Sequence, residues 1–141
     1  MTVYNLGDHT ITAALTDYVI TDGVSVAGVA QALIDQLDGM SSVSLECRFV
    51  YGSSGTSVAV TVQTAFGGSN WIDIARFEFT TANGAKIANV VGTGAVAIAS
   101  IAALSSETVG PGILGDRLRA KVTSLGTYAG NTSVSVRASV R

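Results

Sequence analysis

The chain has 141 residues, of which 48% are hydrophobic and only 13% are charged. This length predicts one domain with a true core, and the net charge of −2 argues against a general nucleic-acid-binding protein. Because a lone soluble domain needs charge on its surface, the scarcity of charge favours a protein that assembles with itself or with others.

Targeting and redox signals are weak. The N-terminus lacks a basic segment followed by an apolar run, so no secretory signal is predicted. Residues 87–106 carry no charge, but asparagine, glycine and serine interrupt the run, which argues against a transmembrane helix. The single cysteine, Cys47, excludes an internal disulfide and is predicted to be a small buried hydrophobe.

The first third of the chain is acidic and holds the one helical pattern. Residues 4–20 are rich in threonine and β-branched residues, which predicts one or two short strands. Ser25 to Gly39 has apolar residues at helical spacing, which predicts one short helix near residues 25–38. Residues 1–47 contain six acidic residues and no lysine or arginine.

The middle of the chain alternates apolar and polar residues, as half-buried strands do. The pattern covers residues 43–51 and 58–66, and it slips by one residue between 71 and 80, which predicts a β-bulge near Ala75. The dipeptide Asn83-Gly84 predicts a tight hairpin.

The C-terminal stretch alternates most clearly. Residues 117–123 and 133–141 each have one apolar and one polar, basic face, and the glycines between them predict an antiparallel hairpin. The whole pattern predicts an all-β fold, an antiparallel sandwich or jelly roll of about eight strands in a single domain over residues 1–141. The pattern leaves open whether residues 1–36 act partly as an arm.

The sequence offers little for catalysis or metal binding. His9 is the only histidine and Cys47 the only cysteine, so a catalytic triad or a zinc site is not predicted. Asp73 and Glu78 are interpreted as a solvated pair with Arg76 rather than as acid/base partners. We therefore expect a protein that is not an enzyme and has no catalytic residues, metal ligands or cofactor.

A row of basic residues is the best candidate site. Alternation places Arg117, Arg119 and Lys121 on one face, and the predicted hairpin brings Arg137 and Arg141 nearby. We expect this row to contact an acidic partner, although an ordinary solvated sheet face explains it equally well. Trp71 is a second interface candidate, because a tryptophan beside a loop can anchor a protein or stack on a sugar.

Five short segments of the sequence resemble segments found in a known protein family. They begin at Leu37-Asp-Gly-Met40 and include Arg48-Phe-Val-Tyr-Gly52, Trp71-Ile-Asp-Ile74, Gly112-Ile-Leu-Gly-Asp-Arg-Leu-Arg119 and Gly126-Thr-Tyr-Ala-Gly-Asn131. Together they resemble the head cement (capsid decoration) proteins of tailed bacteriophages, over about residues 37–141. The resemblance implies a late structural protein with a jelly-roll fold, dimeric on the outer surface of an icosahedral capsid.

The resemblance also implies partners and a location. They are the major capsid protein, whose capsomers it would clamp together, and a second copy of itself, with no nucleic acid and no membrane. The protein would be made in the host cytoplasm and reside in the virion. The alternative is a carbohydrate- or receptor-binding jelly roll of a tail fibre or adhesin, in which Trp71 and Tyr128 would stack on the ligand.

Overall fold

A computed structural model of the chain describes residues 2–21, 25–26, 29–30, 37, 40–66, 70–92, 98 and 101–141. No helix occurs in these ranges. The strands, in chain order, are β1 (Thr2–Thr10), β2 (Tyr18–Val19), β3 (Ser25–Val26), β4 (Val29–Ala30), β5 (Ser42–Val50), β6 (Ser53–Ser54), β7 (Ser57–Ala65), β8 (Ile72–Phe79), β9 (Gly84–Val91), β10 (Arg117–Leu125), β11 (Tyr128–Ala129) and β12 (Ser133–Val140).

Two four-stranded antiparallel sheets carry the fold. The first sheet has the strand order β1-β12-β5-β9, and the second has the order β2-β10-β7-β8. Among consecutive members of these eight strands, only β7 and β8 are neighbours within a sheet, and every other connection crosses between the sheets. This is the strand order of a jelly roll. The predicted all-β antiparallel sandwich is therefore confirmed.

The core lies between the two sheets and follows from the alternation within each strand. In β5 every second residue is buried, from Val43 to Phe49, and in β10 the same holds from Leu118 to Ser124. Side chains of successive residues point to opposite faces of a sheet, so each strand contributes one apolar row to the core. Each fully buried valine or leucine contributes about 1.5–3 kcal/mol of transfer free energy. Both sheets join one hydrophobic cluster.

The bulge that the sequence predicts is present in β8. Val62 of β7 pairs with Ala75, whereas the next residue, Gln63, pairs with Asp73. Ile74 is therefore the extra residue, and the inward-facing set of β8 changes parity there. The prediction of a β-bulge near Ala75 is confirmed.

The predicted C-terminal hairpin is wrong. β10 pairs with β7 and β2, whereas β12 pairs with β1 and β5 in the opposite sheet. Between them, β11 pairs with β6. A strand that buries one face has the same alternation whether the next strand lies beside it or across the core, so the pattern cannot tell these cases apart.

The hairpin predicted at Asn83-Gly84 is wrong for the same reason. This dipeptide joins β8 of the second sheet to β9 of the first. The Asn83 side chain accepts a hydrogen bond from the backbone N–H of Tyr51, at 2.7 Å. Asparagine is favoured here because its amide oxygen caps a backbone donor at the end of β5.

The predicted helix near residues 25–38 is wrong over its first turns. Ser25–Val26 and Val29–Ala30 pair as the antiparallel strands β3 and β4. Valine and the nearby Gly28 both disfavour a helix. Residues 31–36, 38 and 39 lie outside the described part of the chain. Within residues 1–36, β1 and β2 are strands of the two sheets.

Candidate functional site

The basic row of the sequence lies on the outer face of the second sheet. Arg117, Arg119 and Lys121 alternate along β10 with buried core residues, so all three point away from the core, as alternation predicts. They are partly exposed rather than fully solvated. This arrangement presents three cations on one face.

Neighbouring side chains hold each of these cations. The Lys121 ammonium lies 3.0 Å from a carboxylate oxygen of Asp17, and the Arg117 guanidinium lies 3.2 Å from a carboxylate oxygen of Asp116. Hydrogen bonding and charge from Lys121 hold the pKa of Asp17 below its ordinary value. The Arg119 guanidinium stacks over the Trp71 ring at 4.1 Å from the ring centroid.

Arg119 also begins a chain of hydrogen bonds that reaches a loop. Its Nε donates to the side-chain oxygen of Gln63 at 2.8 Å, and the Gln63 amide donates to Asp73 at 2.7 Å. The other Asp73 oxygen accepts the backbone N–H of Leu104 at 3.0 Å. Gln63 and Asp73 are both buried. The cluster therefore holds the segment around Leu104 against the second sheet.

Arg137 and Arg141 are not near this row. Both belong to the opposite sheet, where Arg137 lies on the outer face of β12 and Arg141 directly follows that strand. The Arg137 guanidinium lies 3.0 Å from a carboxylate oxygen of Asp8 and donates to Asn5 at 2.7 Å. Partial burial acts to raise the pKa of Asp8, but hydrogen bonds from Arg137 and its neighbours outweigh burial and lower that pKa.

Two of the five basic residues of the C-terminal segment therefore contact acidic residues of the N-terminal third within one molecule. Asp17 pairs with Lys121, and Asp8 pairs with Arg137. The sequence pattern of an acidic beginning and a basic end corresponds to these internal pairs. The predicted five-residue basic patch is divided between the two outer faces of the sandwich.

A second surface, on the outer face of the first sheet, exposes apolar side chains instead. Val3 of β1 is 66% exposed, and Ile87 and Val91 of β9 are 73% and 60% exposed. The two strands between them, β12 and β5, carry the small side chains of Ser139 and Ser44 at this level. The larger side chains on either side extend further from the sheet, which leaves a depression between them. A shallow depression of about 350 Å³ lies there, bounded by Val3, Glu46, Ile87 and Arg137.

Sequence reasoning missed this surface. Five of the seven residues 85–91 are apolar and they fall on both faces, so alternation does not show which residues face the core. One signal was available, however. A strand in a two-sheet sandwich buries only one face against the opposite sheet. Because β9 has apolar residues on both faces, those on the second face must lie on the outer surface of the sandwich.

The remaining titratable candidates have structural surroundings. His9 contacts the Tyr18 ring at 4.9 Å between centroids, and partial burial lowers the pKa of His9. Burial raises the pKa of the Cys47 thiol to about 12, which keeps it protonated and unreactive. In the described ranges, no three His, Cys, Asp or Glu side chains lie close enough together to hold a metal ion.

Two further observations complete the survey. Across the described residues, no helix is both long enough and apolar enough to span a membrane. The chain matches no protein-family model, and no curated protein or solved structure is significantly similar to it.

Proposed function

We propose that this chain is a structural protein of a bacteriophage capsid, which binds the outside of the icosahedral shell and clamps neighbouring coat-protein subunits together. It is not an enzyme in this proposal. Its partner is the major capsid protein, and its location is the virion surface. The observation that carries the proposal is a rigid jelly roll whose first sheet exposes apolar side chains on its outer face.

The exposed side chains support binding to another protein. Val3, Ile87 and Val91 lie on one face, where burying them against a partner would be favourable. The cations of the second sheet already contact internal partners, whereas Val3, Ile87 and Val91 of the first sheet stay solvated and can be buried by a partner. Many copies on one shell would add avidity, so each single contact need not be strong.

The family resemblance supports the same proposal through specific phrases of the chain. Arg48-Phe-Val-Tyr-Gly52 runs from the end of β5 into the following turn, and Trp71-Ile-Asp-Ile74 begins β8. Gly126-Thr-Tyr-Ala-Gly-Asn131 contains β11. These segments form strand ends and turns of the jelly roll.

The alternative, a sugar-binding jelly roll, loses Tyr128 as a stacking residue. Tyr128 is buried, and its hydroxyl donates to the carbonyl of Thr80 at 2.8 Å. Arg119 covers one face of the Trp71 ring. A sugar stacks on an open aromatic face, and at most one face of Trp71 is left for it, so we do not propose this function.

Binding to phage heads tests the proposal. Purified protein is mixed with expanded heads that lack it, and the bound fraction is measured after sedimentation. We expect saturable binding that Val3→Glu weakens by about ten-fold or more, because a charge would be buried among apolar contacts. Thr10→Glu is the matched control, since Thr10 is exposed on the same face at the other end of β1.

Two further results are decisive. If the double variant Arg119→Glu, Lys121→Glu loses binding and Val3→Glu does not, the contact lies on the basic row instead. No binding of the wild-type chain to expanded heads at any tested concentration contradicts the proposed function.

A further inference from the structure

The sandwich has four sheet edges, and three of them are blocked. Among the described residues, a loop covers the β8 edge, where Arg76 donates its N–H to the carbonyl of Thr108 and Gly110 donates to Ile74. β1 is interrupted by a bulge between Asn5 and Gly7, and β2 has only two residues. Bulges, short strands and covering loops are the usual means of blunting an edge.

The fourth edge, β9, is regular. It pairs with β5 over its whole length, from Gly84 to Val91, with no register shift. On its other side no strand of the described part of the chain is paired with it. An eight-residue edge of this kind is a template for an incoming strand.

The ladder with β5 shows which peptide groups of β9 point outward. Gly92 donates its N–H to the carbonyl of Ser41, and bonded and non-bonded pairs alternate along an antiparallel ladder. Lys86, Ala88 and Val90 therefore bond to β5. The residues between them direct N–H and C=O groups away from the sheet, and this outward set is Ala85, Ile87, Asn89 and Val91.

The pairing of β5 on its other side agrees with this assignment. Ser42 and Arg141 exchange both N–H···O=C bonds, so Ser42 bonds towards β12 and the next residue, Val43, bonds towards β9. Within the described ranges, none of the outward set makes a backbone hydrogen bond outside its own sheet. The β9 edge therefore presents donors and acceptors in the spacing of an extended chain.

A cleft of about 290 Å³ runs along the core side of the same edge. Lys86 and Ala88 of β9 line one side, residues 107–109 line the other, and Phe77 of β8 lies between them. Residues 108–110 bond to the free side of β8, and β8 packs across the core from β9. The first sheet is therefore one strand narrower than the second sheet on this side.

We infer that an extended segment of the coat protein binds in this step as a fifth strand of the first sheet. The inference rests on the proposed function, because it names the part of the capsid partner that is held. The backbone of the segment exchanges hydrogen bonds with the outward set. Its side chains alternate, so every second one enters the cleft and the others lie beside Ile87 and Val91 on the outer face.

The charges around the cleft favour an uncharged segment. The Lys86 ammonium is ion-paired with Glu107 and donates to the carbonyl of Glu78 at 2.6 Å. The Arg76 guanidinium lies 2.8 Å from a carboxylate oxygen of Glu78. A charged side chain entering the cleft would lose its hydration and meet charges that are already paired.

The apolar surface of the cleft indicates which side chains enter it. Phe77, Ala88 and Val109 line the cleft, and Val109 is 53% exposed although its backbone is paired with β8. Covering this surface with apolar side chains is favourable. The segment is therefore apolar at alternate positions on its core side.

A single strand fits this edge better than a second copy of the chain. In two copies joined edge to edge, residues 108–110 of each copy would lie beneath the β9 strand of the other, where that copy's own β8 already packs. A lone strand brings no second layer and avoids this overlap. The edge is also continuous with the proposed contact surface, since Ile87 and Val91 belong to both.

Sedimentation with expanded heads that lack this protein tests the inference. We expect Asn89→Pro to bind about ten-fold or more weakly than Asn89→Ala, because proline removes an outward N–H and leaves the β5 ladder intact. Asn89→Ala is the matched control. Both variants lose the side-chain hydrogen bond to Ser44, so their difference isolates the peptide N–H.

Circular dichroism establishes that each variant is folded. If Asn89→Pro does not fold, Val109→Glu replaces it, because its exposed side chain would place a charge in the cleft. Its control is Leu125→Glu, an exposed apolar position on the second sheet outside the cleft. Val109→Glu should again bind about ten-fold or more weakly than its control.

The outcomes separate this inference from the proposed function. If the wild-type chain binds heads and the folded variant binds as tightly as its control, the inference is overturned and the proposed function stands. If the wild-type chain does not bind expanded heads, both are overturned.

Discussion

At the scale of single residues, the charged and polar side chains are held by neighbours within the fold. Arg119, Gln63 and Asp73 form one connected chain, and every member has a partner at hydrogen-bond distance. Such a chain contributes most when it is complete, because each buried member becomes unsatisfied if its neighbour is removed. This chain anchors the loop that covers the β8 edge.

The substitution Gln63→Ala tests this role. It removes the central member and leaves Asp73 and Arg119 without their shared partner, so we expect the free energy of unfolding to fall by about 1–3 kcal/mol. Thr61→Ala on the same strand is the control, because Thr61 is equally buried and lies outside the chain. Urea unfolding measures both variants, and equal losses for the two would contradict the role given to Gln63.

The two Asp pairs predict a pH dependence of stability. The pKa values of Asp8 and Asp17 are lower in the folded state than in the unfolded chain, so their stabilisation is present above the unfolded-state pKa and is lost as the pH falls through the folded-state pKa. Both pairs are partly exposed, so each contributes less than about 1 kcal/mol.

The variant Asp8→Asn, Asp17→Asn measures this contribution. Its stability should lie below that of the wild type at neutral pH and converge with it in acid, and high salt should narrow the difference. Thermal unfolding across the acidic range provides the comparison. A difference that persists unchanged below the folded-state pKa values would exclude ion pairing as its cause.

At the scale of elements, the strands were predictable and their neighbours were not. Alternation located β5, β7 and β10, and the slip in β8 located its bulge. The hairpin predictions failed, because the alternation within a strand is the same whether the next strand lies beside it or across the core. The exposed face of β9 was missed since apolar residues occupy both of its faces.

Hydrogen exchange measures the alternation of peptide groups in β9 directly. In the wild-type protein, the amides of Lys86 and Ala88 should exchange slowly and those of Ala85 and Ile87 quickly, because only the first pair bonds to β5. Equal exchange of all four amides would contradict the assigned ladder.

At the scale of the whole molecule, the sequence predicted the class of fold and the structure adds the jelly-roll order. Composition bears on assembly rather than on the class of fold, because scarce charge favours a protein that contacts further copies or other partners. The basic row was predicted as one patch and is divided between two sheets, since sequence spacing fixes a face only within one strand. The exposed side chains of Val3, Ile87 and Val91, on the outer face of the first sheet, replace it as the proposed contact surface.

The copy number of this polypeptide in purified virions tests the proposed function most directly. A protein that clamps coat subunits over an icosahedral shell must occupy equivalent positions across the whole surface, so we predict on the order of hundreds of copies per particle. Quantitative mass spectrometry against the coat protein gives the ratio. A handful of copies per particle, or none, would contradict a shell-clamping role.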